Sequence, residues 1–495
     1  MTLHRLTGTE RDFFRLVHQT VLANPFSEER ARTDVRIAGM LTGDSRVETI
    51  EKAVHEVKTR VASLKMAGRE KLDAYSGTDR EMLTAAYLFD IFHRFVAHLD
   101  GHITDQIRAG ARPLKVAFAG DMLRLFIERG FSEEEAVQFL ALCFQIRRAY
   151  FFIDRGLVGR SPCMKKLRES LWNNVFTCDL NFFRDHLWNR MEDFSTLILG
   201  ETGTGKGAAA NAIGSSGFIP FDRERKTFQQ SFTGIFVSLN LSQFPENLIE
   251  SELFGHRKGA FTGAVEAHQG IFDRCSAHGS IFLDEIGEVS EPVQIKLLKV
   301  LEERVFSPVG SHENLRFQGR IIAATNRTLA DIQSGHVLRN DFFYRLCSDI
   351  IEVPCLRQRI AEDPGELDDL LAYTIEKITG KPSADLTDMV KKIIAAQPGL
   401  DYAWPGNVRE LGQCVRRIML RRSYATPPAA PGPSGGISRI TKQMENGGLN
   451  ARELIREYCR YLYEKHGTYG EVARLTGLDR RTVKNHIDAA AQTGH

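Results

Sequence analysis

At 495 residues the chain is too long for one ordinary core, so two to four domains are expected. With 42% hydrophobic and 26% charged residues and a net charge of +2, the composition is globular, and any basic surface must be local. No apolar run approaches the roughly 18 residues that span a bilayer, Met1-Thr2-Leu3-His4-Arg5 opens no signal-peptide core, and the eight cysteines form no C-x-x-C pair; a cytoplasmic protein without membrane contact and with reduced thiols is expected.

Residues 1 to about 155 read as helical. Phe89, Phe92, Val96, Leu99 and Ile103 recur at three- and four-residue steps and mark one helix face. Ser132 and Glu135 form a capping-box pattern ahead of Val137, Leu140, Ala141 and Phe144. His98 and His102 stand one helical turn apart, a spacing that suits a metal but more often marks a polar helix face. A helical sensing or interaction domain is the expectation.

From about Gly156 short apolar runs alternate with helical stretches. Thr196–Leu199, Ile235–Leu239, Ser280–Leu283 and Arg320–Ala324 each read as a buried strand of a parallel sheet. The expected class is α/β, with helices on both faces of that sheet. Gly200-Glu201-Thr202-Gly203-Thr204-Gly205-Lys206 follows the first strand and opens a helix, the context a phosphate-binding loop requires. Its backbone N–H groups would converge on phosphate oxygens at a helix N-terminus, and Lys206 would reach the β- and γ-phosphates of ATP. Gly207 stands where a Ser or Thr hydroxyl usually touches Mg²⁺. Ile281-Phe282-Leu283-Asp284-Glu285 is an apolar strand ending in two carboxylates. Asp284 would hold Mg²⁺ and Glu285 would activate the attacking water. Asn326, ending another strand, is placed for the γ-phosphate or the water.

Between these halves lies Glu252-Leu253-Phe254-Gly255-His256-Arg257-Lys258-Gly259-Ala260-Phe261-Thr262-Gly263-Ala264. Glycines flank a Phe-Thr pair, a poor core pattern and a poor strand or helix pattern. They let a loop fold tightly and move, and a phenylalanine at its tip implies a protein partner. Residues 425–448, rich in Pro, Gly and Ala at the start, read as a flexible linker. Beyond it Thr468–Leu478 and Asp479–Ile487 read as a helix-turn-helix with Ala473, Leu475, Leu478, Val483 and Ile487 as its core. Asp479 caps the second helix. Arg480, Arg481, Thr482, Lys484 and Asn485 are candidates for DNA contacts.

In combination these motifs resemble the sigma-54-dependent AAA+ transcriptional activators, the bacterial enhancer-binding proteins. Gly259, Ala260, Phe261, Thr262, Gly263 and Ala264 reproduce that family's GAFTGA signature without a change. The likeness runs from about Leu157 to Arg422 and resumes at the C-terminal end, which resembles the family's Fis-type helix-turn-helix. It implies an AAA+ core over residues 156–355, a helical lid over 356–424 and DNA binding over 449–495. It further implies a homo-oligomeric ring, a hexamer when active and a dimer when inactive, acting on sigma-54 RNA polymerase from upstream enhancer-like DNA. By position, Asn240 matches the switch asparagine that reads nucleotide state through Glu285, and Asn326 matches sensor I. Arg339 and Arg345 match the arginine fingers, and Arg409, in Trp404–Leu411, matches sensor II. The chain departs from the family at Gly207, where a glutamate is usual, in the Ala-rich helix after it, and in an apparent insertion over Asn181–Arg190. Two other readings stay open: a remodelling ATPase acting on a different protein, and a DNA-binding regulator with an impaired ATPase.

Overall fold

The computed structural model describes residues 4–40, 45–335, 337–423, 440, 444 and 449–491. The linker expected over 425–448 therefore lies outside the described residues, apart from Ile440 and Met444. The chain forms two compact units, one of residues 1–393 with 401–422, the other of 394–400 with 423–495.

The first unit begins with six long helices: Gly8–Leu22, Glu28–Ala38, Arg46–Met66, Gly77–Ala109, Ala119–Glu128 and Glu133–Gly156. Local chemistry sets several of their starts. Thr7 and Glu10 close one capping box, and Ser132 with Glu135 closes another, as the sequence predicts. Leu83, Ala86, Tyr87, Leu99 and Ile103 of the long fourth helix are fully buried. The helix Glu133–Gly156 is long and apolar enough by length and composition to cross a membrane, against the expectation that no such stretch exists. In this fold it is a core helix: Leu140, Ala149 and Ile153 are fully buried.

The five-stranded sheet is wholly parallel. In chain order its strands are β1 (Thr196–Leu199), β4 (Phe236–Asn240), β5 (Ser280–Asp284), β8 (Arg320–Thr325) and β9 (Asp349–Glu352). They lie in the order β4-β5-β8-β1-β9. Two short antiparallel hairpins, β2 (Phe221–Asp222) with β3 (Thr227–Phe228) and β6 (Val305–Phe306) with β7 (Leu315–Arg316), stand apart from it. The four strands read from the sequence are all present. The fifth, β9, escapes that reading because only Ile351 is fully buried between Asp349 and Glu352 at this sheet edge. Helices Leu356–Glu362, Gly365–Thr379 and Asn407–Arg421 follow as a lid.

The N-terminal helices and the sheet share one apolar core. It runs from Phe14, Tyr87 and Phe144 through Phe228 and Phe232 to Ala209, Ile198 and Phe282. The joint is made by Ser215–Ile235, the segment between the helix Lys206–Gly214 and β4. Phe144 stacks on Phe228 at 4.0 Å. Gln145 donates to the Ser216 carbonyl at 3.0 Å, and Arg148 donates to the carbonyls of Ser215 at 3.0 Å and Gly217 at 2.6 Å. Arg148 is fully buried and lies over the rings of Phe144 and Phe232. Burial pushes its guanidinium pKa down, to about 9, because no carboxylate offsets the desolvation. Truncating Phe144 opens this joint. The variant Phe144→Ala is expected to lose about 3–5 kcal/mol of unfolding free energy, measured as a lowered denaturant midpoint.

The second unit holds helices Ala451–His466, Tyr469–Thr476 and Arg480–Ala491. Cys459, Leu462, Val472 and Val483 form its buried core, with Ala473, Leu478 and Ile487 packed against it. Leu475, expected in that core, is instead 42% exposed, and Val472 points inward one turn earlier.

Candidate functional site

The phosphate loop sits where β1 ends and the helix Lys206–Gly214 begins. Gly203 (φ +82°) and Gly205 (φ +111°) hold left-handed conformations that other residues rarely adopt. At Gly203 a Cβ would also meet the Gly406 carbonyl oxygen at 2.3 Å, so the lid packs directly on the loop. Lys206 is 7% exposed, and its Nζ donates to the carbonyls of Gly200 at 2.9 Å and Glu201 at 3.4 Å. Burial lowers its pKa, the charges of Glu285 and Asp284 raise it, and Arg409 lowers it. Glu285 and Asp284 at the end of β5 and Arg409 in the lid thus all act electrostatically on Lys206 at the start of the helix Lys206–Gly214.

Asp284 and Glu285 close β5. Glu285 adopts φ 58° and ψ 49°, a left-handed conformation uncommon for a side chain of this size. Such strain persists only where the surroundings over-determine it. Asn240 ends the neighbouring strand β4, and its Nδ2 donates to Asp284 Oδ2 at 3.4 Å. Its contact thus runs to Asp284 rather than to Glu285. Asn326, one residue past β8, donates to the Thr202 hydroxyl at 3.4 Å and bridges to the loop. Parallel pairing accounts for this convergence: the β4, β5, β8 and β1 strands all deliver their C-terminal ends to one side of the sheet.

Gly207 lies in the first turn of its helix, and a Cβ there would meet only Phe282 Cε1, at 3.9 Å. Space therefore does not require glycine. Arg339 is engaged within the chain, with its guanidinium on Glu291 at 2.5 Å and on Asp341 at 2.8 Å. Arg345 is exposed and donates to the Leu301 carbonyl at 3.4 and 3.3 Å.

Two residues at this site escape the sequence reading. Asn407 is fully buried with φ +53°. Its Nδ2 donates to Glu201 Oε2 and the Thr202 carbonyl, both at 3.1 Å, while its Oδ1 accepts from Leu356 N–H at 2.8 Å. Arg357 forms a two-pronged ion pair with Glu201 at 2.8 and 2.5 Å. Together they hold the Glu201 carboxyl below its usual pKa and latch the lid to the loop. The Trp404-Pro405-Gly406-Asn407 turn is the one signal for Asn407, and it reads as turn chemistry alone. Replacing Asn407 by Ala leaves the Leu356 N–H buried without a partner. A loss of about 2–3 kcal/mol in thermal or denaturant unfolding is expected.

The Gly259–Ala264 loop is a separate feature. Its base is pinned by paired hydrogen bonds between His256 and His268, both at 3.0 Å, and by Val309 N–H to the Gly255 carbonyl at 2.9 Å. Gly255 and Gly270 touch so closely that a Cβ on Gly270 would meet Gly255 N at 2.3 Å. Above this base the backbone closes on itself through Gly259 N–H to Ala264 O, at 2.8 Å. Ala264 is buried, Thr262 is exposed and Phe261 is 37% exposed, its ring edge-on to His256 at 4.9 Å. Around Gly259 and Gly263 there is open space, so these glycines serve conformation rather than packing.

In the second unit Asp479 caps the last helix, accepting from Arg481 N–H at 2.9 Å and Thr482 N–H at 3.0 Å. The Thr482 hydroxyl also donates to Asp479. Arg480, Arg481, Lys484 and Asn485 are exposed on that helix.

The family profile described as "Sigma-54 interaction domain" matches residues 184–352. That span holds the phosphate loop, the acidic strand end and the Gly259–Ala264 loop. It also takes in much of the stretch expected to be an insertion. The chain is 37% identical over 360 residues to a Nif-specific regulatory protein of Azotobacter vinelandii, covering 69% of this chain and 60% of that protein. To the DNA-binding transcriptional regulator NtrC of Azospirillum brasilense it is 34% identical over 369 residues, 67% of this chain and 68% of NtrC. To a Nif-specific regulatory protein of Bradyrhizobium diazoefficiens it is 32% identical over 449 residues, covering 84% and 70% of the two chains. The chain belongs to the sigma-54-dependent AAA+ transcriptional activators. It spans about three fifths of the length of the first of these relatives. The architecture agrees with an AAA+ activator: a parallel P-loop sheet with a helical lid, helices before it and a small helical unit after it.

Proposed function

We propose that the chain is an activator that hydrolyses ATP to remodel sigma-54 RNA polymerase at promoters. The observation that carries this reading is the juxtaposition, within one compact unit, of the Lys206, Asp284 and Glu285 cluster with the exposed Phe261-Thr262 tip.

The site fits a nucleotide. Lys206 is a nearly buried ammonium whose hydrogen-bond partners are two carbonyls, and an anion is the ligand that such a group lacks. The N–H groups of Gly203, Thr204 and Gly205 and the helix N-terminus would receive phosphate, and Arg409 adds positive charge from the lid. Asp284 would hold Mg²⁺, which neutralises phosphate charge when bound; Gly207 contributes no hydroxyl to it. Glu285 orients and deprotonates the attacking water. Asn326 and Asn240 position the polar groups around it. Through the contact with Asp284, Asn240 links the strand end to the segment that leads toward the Gly259–Ala264 loop. In a ring, hexameric when active and dimeric when inactive, Arg339 and Arg345 would leave their intrachain partners and face the neighbour's phosphate.

In this reading residues 1–155 regulate, 156–355 form the ATPase core, 356–424 the lid and 425–448 a linker. Residues 449–495 bind upstream DNA through Arg480, Arg481, Thr482, Lys484 and Asn485. Thr482 would act mainly through its cap to Asp479, since its hydroxyl is already committed. The protein works in the cytoplasm. The test is transcription from a sigma-54 promoter with purified full-length chain. Transcripts are expected with ATP and not with ADP. ATP-independent transcripts, or none under either condition, reject the reading.

A further inference from the structure

Among the N-terminal helices lies a cavity of about 360 Å³ that the nucleotide chemistry does not use. Its size is that of sites that enclose small organic molecules. Its wall is largely apolar. Leu88, Phe92 and Val96 come from the helix Gly77–Ala109, Leu142 and Ile146 from Glu133–Gly156, and Trp172 from Pro162–Phe176.

Against this wall stand a few polar groups. His93 lines the cavity, its ring packed on Phe89 at 4.3 Å and Phe92 at 5.3 Å, with no hydrogen-bond partner among the described residues. Burial, then the charges of Arg30 and Arg147, push its pKa down to about 3. The imidazole is therefore neutral at ordinary pH, with one nitrogen donating and the other accepting.

Three guanidiniums, Arg30, Arg46 and Arg147, also line the cavity. Arg30 spends its Nε on Asp34 at 3.0 Å and its Nη1 on the Thr20 carbonyl at 3.2 Å. Arg147 spends Nε and Nη2 on Asp100, both at 2.6 Å. Arg46 gives one Nη2 bond to the Pro25 carbonyl at 2.7 Å. Asp34 and Asp100 are thus bonded to two of the three guanidiniums, Arg46 has no carboxylate partner among the described residues, and each guanidinium keeps N–H groups to spare. Guanidinium N–H groups left to donate beside a largely apolar wall, with Arg46 at its exposed rim, select an anion with an apolar body.

We propose that this cavity is an effector site for a small apolar monocarboxylate, its carboxylate toward the arginines and its body against the Leu88–Trp172 wall. The helix that supplies Trp172 also carries Asn174. That residue donates to Thr196 of β1 at 3.0 Å and Asp349 of β9 at 2.6 Å, and accepts from Arg320 of β8 at 2.9 Å. A ligand touching Trp172 therefore bears on a helix tied to three strands of the sheet.

The test uses the full chain, titrated with phenylacetate and 4-methylpentanoate and, in parallel, with their neutral amides. Intrinsic tryptophan fluorescence and the thermal midpoint are followed. Each acid is expected to give a saturable fluorescence change and a raised midpoint. The amides should bind at least about tenfold more weakly, as should the acids to Arg46→Gln, whose side chain is exposed and whose loss spares the fold. Val96→Phe fills the cavity and should abolish binding. Trp172→Phe should remove the fluorescence change and keep the thermal shift. Failure of both acids to bind, equal binding of acids and amides, or binding retained in Arg46→Gln and Val96→Phe alike overturns the proposal.

Discussion

Glu285→Gln is expected to cut phosphate release from ATP by at least about 100-fold while nucleotide binding stays intact. The substitution keeps the size of the side chain and removes its capacity to take a proton. The elements that would grip the nucleotide, Lys206 and the Gly200–Gly205 turn, belong to β1 and the helix after it and do not depend on the Glu285 carboxylate. The main chain at Glu285 is left-handed, and glutamine meets the same backbone strain, so fold stability should change little. Phosphate release and titration with a fluorescent ATP analogue separate the two effects. Turnover that stays near the unmodified level would remove Glu285 from the chemistry. Simultaneous loss of binding would assign it to the nucleotide grip instead.

Thr262→Ala should leave ATP turnover near its original rate and abolish transcription from a sigma-54 promoter. Thr262 is exposed, and its hydroxyl has no hydrogen bond among the described residues, so stability should shift by no more than about 0.5 kcal/mol. The loop's own closure runs through backbone groups of Gly259, Phe261, Gly263 and Ala264, which the substitution does not touch. A loss of output with turnover retained would place Thr262 at the contact with the polymerase. Transcription that survives would show that the loop tip is not the output element. Phe261 offers a harsher variant, because its ring also rests on His256 and its truncation mixes contact with loop packing.

Much of the site is legible from local sequence because its chemistry is local. The phosphate loop is a contiguous run whose glycines are demanded by left-handed backbone, and the acidic pair closes a visibly apolar strand. The Gly259–Ala264 loop is likewise contiguous, and its Phe261-Thr262 tip is exposed as its composition implies. The parallel sheet is readable for the same reason, four of its strands being short runs of Ile, Leu, Val and Phe. What escapes is long-range. Glu201 reads as part of a phosphate loop, but its carboxylate is held by Arg357 and Asn407, more than 150 residues away. Nothing local to any of the three marks that pairing.

The N-terminal half makes the point most strongly. Periodicity and capping boxes determine that residues 1–155 are helices, since both depend on residues three or four apart. They do not determine what those helices pack against. Tertiary structure alone joins Phe144 to Phe228 and seats the Arg148 guanidinium on carbonyls of Ser215 and Gly217. It likewise brings His93, Arg30, Arg46 and Arg147 to the lining of one cavity. Apolar burial is non-directional and rewards any well-fitting face. An apolar stripe therefore announces that a helix will be covered, and only the fold decides by what.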